Sequence, residues 1–405
     1  MTSSILVLNV GSSTLKFALF DGAGLDLLCR GVIEDRGAGF PVSTSGPYAP
    51  AFAALPGAAG ATLPARIEWL LRTAATKLVD RPLAAVGHRV VHGGTTFAEP
   101  AIVNAAMLDE LGRLIPLAPA HQPHNIAAIA AVTAMAPDLP QIACFDTAFH
   151  RTQPRVAQLY PLPRALSDEG LLRFGFHGLS YEHVAQALVE VAPDHANGRV
   201  IAAHLGHGAS LCAMRNRQSV ATTMGFTSLE GLMMGTRSGS IDPGLILYLI
   251  RDRGMTVEAV GDLLNSRSGL LGVSGLSDDV RILAQSPDPS AAEALDLFAY
   301  RAAREIGSLM VAVGGLDLLV FTGGIGENSA SLRAAICERL RWADVILDPA
   351  RNEQGLPRIS AEAARVKVFV IPANEELVIA TATRELTAGL AGRSGGKRRS
   401  PPSVR

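Results

Sequence analysis

Five side chains in this sequence sit where small or apolar neighbours leave room for chemistry. Lys16 follows the glycine turn of LNVGSSTLKFALFD, Arg89 lies in HRVVHGG, Asp146 in CFDTAFH, His177 in FGFHGLSYEHV and Arg237 in MGTRSGS. Each has an ordinary reading. Arg89 can close an internal salt bridge, since a buried unpaired guanidinium is costly; Asp146 can cap a helix, His177 can pack in a core, and Arg237 can be a solvated loop charge. Together, two arginines, a histidine, an aspartate and a lysine, set among glycine turns, are the inventory of phosphoryl transfer. That reaction is catalysed mainly by positioning and by neutralising charge on equatorial oxygens.

The glycine turns must be placed by the elements around them. Residues 5–8 form an apolar run, and Leu15, Phe17 and Leu19 alternate with Lys16 and Ala18, which predicts a hairpin. Its turn can direct Asn9, the Ser12 and Thr14 hydroxyls and Lys16 toward an anion, or can be an ordinary polar turn. The GxxxxGK[ST] spacing of a P-loop is missing, and so is the GxGxxG that a nicotinamide dehydrogenase needs after its first strand. Only four of the 36 basic residues are lysines, so a compact point charge at Lys16 is a distinctive choice.

Near residue 199 the pattern restarts. RVIAAHLGHGASLCAMRNRQSVATT again gives an apolar strand, a small-residue turn over 206–210 and an alternating strand. The repeat is one of pattern, and it predicts two related α/β halves facing each other across a cleft. Between these strands, helices are expected near 64–79, 105–114 and 123–135, with a long apolar stripe at Leu295, Phe298, Ala302, Ile306, Leu309, Met310 and Val313. A strand LDLLVFTGG then feeds a Gly323–Gly326 loop, which is expected to lead into a helix beginning around 328–332. ANEELVIATATREL reads as a final amphipathic helix, and 392–405 has the composition of a disordered tail.

Composition narrows the partners. The chain has 405 residues, 48% of them hydrophobic, and a formal net charge of −1, so it can bury a large core but carries no field that would draw it to nucleic acid or anionic membranes. No basic leader or spanning apolar run is present, and a cytoplasmic location is expected. Cys29, Cys144, Cys212 and Cys337 are far apart without metal-ligand spacing, and read as reduced core thiols.

Taken in order, LNVGSSTLKFALF, HRVVHGG, LAPAHQP, CFDTAFH, FGFHGLSYEHV, AHLGHGAS, MGFTSLEGLMMGTRSGSIDP, FTGGIGEN and IPANEEL span residues 5 to about 385 and closely resemble the acetokinase family. The resemblance implies the fold of the acetate and sugar kinase, Hsp70 and actin superfamily: α/β, with two duplicated actin-like (ribonuclease H-like) domains around a nucleotide cleft. The domains would cover 1–148 and 149–385, with the C-terminal helix packing back on the first. It implies reversible, in-line, Mg²⁺-dependent phosphoryl transfer from ATP to acetate, with Mn²⁺ as an alternative metal, usually in a homodimer. Asn9 and Glu375 would hold the metal. Ser12, Thr14, Lys16, His204, Leu205, Gly206, His207, Gly208, Asp279, Val280, Arg281, Gly324, Ile325, Gly326, Glu327 and Asn328 would hold ATP or ADP. Arg89 would bind the substrate carboxylate, His177 and Arg237 would stabilise the transition state, and Asp146 matches the position of a proton donor or acceptor. Acetate is already ionised at pH 7 and needs no base to attack, so Asp146 is expected to orient the hydrated metal and the γ-phosphate.

The sequence departs from this pattern at four places. His207 replaces the family's asparagine in HLGNG, and Val280 replaces an aromatic residue between Asp279 and Arg281. In the acyl pocket Val91 and Phe176 are kept, but Ala120 and Ser228 stand where leucine and proline are usual. The room freed at Ala120 makes a propionate or other short-chain acyl kinase the nearest alternative. A non-catalytic actin- or Hsp70-like nucleotide binder would not need Arg89 and Arg237.

Overall fold

A computed structural model of the protein describes residues 3–11, 14–35, 39–57 and 62–394. Ser12 and tail residues 395–405, on which two of the expectations above fall, lie outside the described residues. The chain divides into two compact units, Met1–Ala148 with Glu375–Arg405, and Phe149–Asn374.

The first unit is built on strands β1 (Ser4–Val10), β2 (Thr14–Asp21), β3 (Leu27–Glu34), β4 (Val42–Ser45), β5 (Leu83–Val90), β6 (Ala101–Ile102) and β7 (Gln141–Phe145). They form one sheet in the order β4-β3-β2-β1-β5-β7-β6. β1, β2 and β3 make an antiparallel meander, and β5 and β7 then run parallel to β1. The expected alternation along β2 holds at Lys16, which is exposed, but fails at Ala18, which is fully buried. Both faces of the sheet are covered. Val86 joins the cluster of Leu8, Phe17, Ile67 and Leu70 on one side, whereas a Cβ at neighbouring Gly87 would meet Ile379 and Thr383 of the helix Glu375–Ser394 on the other.

The second unit repeats this plan. Strands β8 (Arg199–Leu205), β9 (Ala209–Arg215), β10 (Gln218–Thr222), β11 (Leu318–Thr322) and β12 (Lys367–Val370) lie in the order β10-β9-β8-β11-β12. Again an antiparallel meander is followed by two parallel strands. The long helix Pro289–Val313 buries Phe298, Ala302, Ile306, Leu309 and Val313 of the stripe read from the sequence, while Leu295 and Met310 are half-buried. Its N-cap Asp288 accepts from Ser290 N at 2.9 Å, and Gly314 ends it at φ +81°.

The glycine run after β11 departs from expectation, because it is not a loop leading to a helix. Gly323 takes φ +77°, which turns the strand directly into the short helix Gly323–Asn328 before the helix Ala330–Glu338 begins. The four cysteines are free and buried.

Candidate active site

The first unit gathers three of the expected residues around the guanidinium of a fourth, Arg89. Arg89, near the end of β5, donates Nε to Asp146 Oδ1 at 3.0 Å and Nη2 to Asp146 Oδ2 at 2.6 Å. Asp146 directly follows β7, the parallel neighbour of β5, so adjacent strand ends set the pair face to face. It is a strand-end ion-pair partner rather than a helix cap. The Nη1 edge of Arg89 lies 3.3 Å from Asn9 Oδ1 and 3.5 Å from Glu375 Oε2. Burial alone would ease a proton off Arg89, but Asp146 and Glu375 outweigh it and raise the guanidinium's pKa.

Asn9 pairs across the hairpin with Lys16, so the two share a face of the sheet. The turn between their strands is closed by Gly11 N donating to Thr14 O at 2.8 Å. Asn9 and Glu375 offer only oxygen donors, and among the described residues no group of three or more His, Cys, Asp or Glu side chains could cage a metal. Such a set fits Mg²⁺, which keeps most of its waters and takes one or two carboxylate or carbonyl ligands.

Val91 follows Arg89 and is 8% exposed, and its N–H donates to Asn125 Oδ1 at 3.0 Å. Ala120, on the approach to the helix Gln122–Met135, is exposed.

In the second unit, His177 sits at the N-terminus of the helix Gly178–Val191 with φ +58°, a left-handed conformation costly for a residue with a side chain. Its Nδ1 lies 2.8 Å from Ser210 Oγ, which in turn lies 2.5 Å from Tyr181 Oη. The ring stacks on His204 with centroids 4.3 Å apart, and His204 Nδ1 is held by Ser180 Oγ at 2.8 Å. This leaves Nε2 of His177 facing the Gly206–Gly208 turn. A Cβ at Gly208 would stand 3.3 Å from that nitrogen and 2.7 Å from Nη2 of Arg237, so both groups converge over this glycine.

Arg237 differs from Arg89 in its company. Its Nη1 donates to Ser228 O at 2.8 Å, and among the described residues no carboxylate pairs with it. Burial pushes its pKa down to about 10. A desolvated cation without a counter-charge is a group prepared for an anionic ligand. Phe176, 2% exposed, has its carbonyl 2.9 Å from His150 Nε2.

The same unit holds an open cavity of about 1140 Å³ lined by Gly206, His207, Asp279, Val280, Arg281, Gly324, Ile325, Glu327 and Asn328, all nucleotide candidates from the sequence. It is large enough for a nucleoside triphosphate. Asp279 caps the helix Val280–Gln285 and pairs with Arg281 at 2.6 Å, while His207 Nε2 lies 3.1 Å from Asp278 Oδ2. His204 and Leu205 belong to β8 behind the turn and are not part of the cavity lining.

Several lining residues escaped the sequence reading, Arg333 among them. Arg333, 2% exposed, donates to Gly326 O at 2.9 Å, Glu327 O at 2.8 Å, and Asn352 Oδ1 and O at 2.8 Å each. It ties the glycine-rich helix to the wall of the cavity. Glu327 is held from the other side by Ala373 N at 2.9 Å.

Two sheets of the same strand plan, each an antiparallel meander extended by parallel strands, with glycine turns and cations at their edges, define an α/β protein of duplicated actin-like domains. The chain belongs to the acetokinase family, whose model matches residues 4–381. It is 48% identical over 398 residues to the acetate kinase of Rhodopseudomonas palustris, a match that covers 96% of this chain and 100% of the relative. The structure resembles that of a propionate kinase from Francisella tularensis, with a TM-score of 0.87 at 35% identity over 95% of this chain and 99% of that one. It also resembles acetate kinase from Porphyromonas gingivalis, with a TM-score of 0.83 at 33% identity over 95% and 99%.

Proposed function

We propose that the protein is an ATP:acetate phosphotransferase, reversibly converting ATP and acetate to ADP and acetyl phosphate. The observation that carries this reading is the desolvated Arg237, without a carboxylate partner among the described residues, converging with His177 over Gly208 at the rim of a nucleotide-sized cavity. ATP occupies that cavity, with its phosphates toward Gly206–Gly208 and the Gly324–Asn328 helix. Arg89 binds the carboxylate of acetate through its Nη1 edge, which Asn9 Oδ1 at 3.3 Å and Glu375 Oε2 at 3.5 Å hold more loosely than Asp146 holds the other edge. The carboxylate attacks as the anion it already is at pH 7. Arg237 and the Nε2 proton of His177 donate to the transferring phosphoryl oxygens, where low local dielectric makes such bonds strong.

Asp146, saturated by Arg89, orients rather than exchanges protons. Mg²⁺, when bound at Asn9 and Glu375, supplies charge neutralisation of the phosphates. The helix Pro243–Arg251 buries none of its residues in the chain and exposes Leu245, Leu247 and Tyr248, which supports a homodimer formed through this face. No helix among the described residues is long and apolar enough to cross a membrane.

The test is hydroxylamine trapping of acyl phosphate from ATP, Mg²⁺ and a series of short carboxylates. Acetyl hydroxamate is the expected product, and its absence overturns the reading. Exposed Ala120 favours a second substrate, propionate, which the same series reports.

A further inference from the structure

Arg237 is presented by a loop that something must hold still. Its guanidinium reaches the loop through one hydrogen bond, Nη1 to Ser228 O at 2.8 Å. Both carboxylate oxygens of Glu230, two residues further on, are taken. Arg173 Nη2 donates to Oε1 at 2.6 Å and Tyr160 Oη donates to Oε2 at 2.6 Å. The grip closes on the loop backbone as well. Phe226 N donates to Tyr160 Oη at 2.7 Å, and Arg173 Nη1 donates to Met224 O at 3.1 Å. The Arg173 guanidinium also lies 5.2 Å from the centre of the Tyr160 ring. A Cβ at Gly225 would fall 1.7 Å from Glu230 Oε2, so the loop closes this tightly only with glycine there. Arg173 stands four residues before His177, and the intervening N–H groups of Phe174 and Gly175 both donate to Gly225 O.

We propose that Tyr160, Arg173 and Glu230 form a clamp that positions Arg237 for phosphoryl transfer through the carbonyl of Ser228. The proposal rests on the reading of Arg237 as the group that meets the transferring phosphoryl. A partly buried ion pair bridged by a tyrosine is a poor way merely to stabilise a loop, since apolar packing does so at less desolvation cost. It is a good way to set one geometry, because each partner has directional bonds on both sides. None of the three touches the substrates; they are positioning residues.

The experiment is Tyr160→Phe, alone and combined with Arg237→Lys, in steady-state kinetics with thermal melts. Tyr160→Phe is expected to lower kcat about 10- to 100-fold, the scale of a misplaced catalytic group, while KM for ATP stays within about twofold of wild type and Tm hardly moves. In the Arg237→Lys background the same change is expected to cost almost nothing, because the group it positions is gone. Wild-type kcat in Tyr160→Phe, or an undiminished loss in the double variant, overturns the clamp while leaving Arg237's role intact. Wild-type kcat in Arg237→Lys instead overturns the reading of Arg237, and the clamp with it. Should Tyr160→Phe fail to fold, Glu230→Gln, which keeps the side chain's size, takes its place under the same criteria.

Discussion

Arg89 and Asp146 form a two-pronged ion pair across neighbouring parallel strand ends, with Asp146 1% exposed. An aspartate spent on a guanidinium is a weak proton acceptor, and its two oxygens hold Arg89 in a single orientation. Asp146→Asn keeps the shape but leaves the guanidinium with a neutral partner. The variant is expected to lose at least about 100-fold in kcat, with a shifted dependence on Mg²⁺ concentration. A comparable loss with an unchanged Mg²⁺ profile would instead make Asp146 a proton-transfer residue.

Arg333 is expected to act on nucleotide binding. It satisfies the carbonyls of Gly326 and Glu327, in the last turn of the helix Gly323–Asn328, where intrahelical donors run out. Arg333→Met keeps the bulk and removes the donors, which leaves the carbonyls of Gly326, Glu327 and Asn352 and the Asn352 amide oxygen without them, at about 1–3 kcal/mol for each buried group. KM for ATP should rise about tenfold or more while KM for acetate stays near wild type. Equal rises in both constants would show that the arginine holds more than the nucleotide wall.

Much of this was readable in the residues themselves. The hairpins that open the two meanders announced themselves through apolar runs broken by Gly11 and by Gly206–Gly208, because a strand's period and a turn's residue types are local properties. What the sequence hid was what lies across space. Ala18 looked solvent-facing until the helix Glu375–Ser394, more than 350 residues later, covered that face. Tyr160 and Glu230 are 70 residues apart, and no local pattern joins them. Arg333 did leave a trace, since it shares a helix face with Ile336 and Cys337, and an arginine on an apolar stripe is a charge that must find buried partners. The difference between Arg89, paired with carboxylates, and Arg237, with none among the described residues, depends on Asp146 and Glu375 arriving from other elements.

The acyl side of the site leads to a prediction about chain length. Val91 is pinned by Asn125 Oδ1, while Ala120 offers only a methyl group where the family's usual leucine would fill space. One extra methylene of substrate is worth about 1–3 kcal/mol in such a pocket. Propionate should therefore be turned over with kcat/KM within about tenfold of acetate, and Ala120→Leu should lower the propionate value while sparing acetate. No measurable propionate activity beside robust acetate activity would remove Ala120 from the account.

Stability should fall in mild acid through three buried histidines, of which His92 is pushed down to about 4 by burial. His88 in the first unit and His150 in the second are both pushed down to about 4 by burial, only partly offset by their bonds to Gln141 and to the Phe176 carbonyl. A carbonyl can only accept, so His150 carries its proton on Nε2, and Nδ1 accepts from Ser219 Oγ. Between pH 6.5 and about 4 the unfolded chain takes up protons that the folded chain refuses, so stability is complete above pH 6.5 and drains away as pH falls through that window. At pH 5 the loss is about 2 kcal/mol for each ring. Urea midpoints measured at pH 7.5 and 5.0 should drop accordingly, and His88→Leu, although less stable at neutral pH, should flatten the pH slope. Equal midpoints at the two pH values would mean that these rings are reached by water and titrate as freely in the folded protein as in the unfolded one.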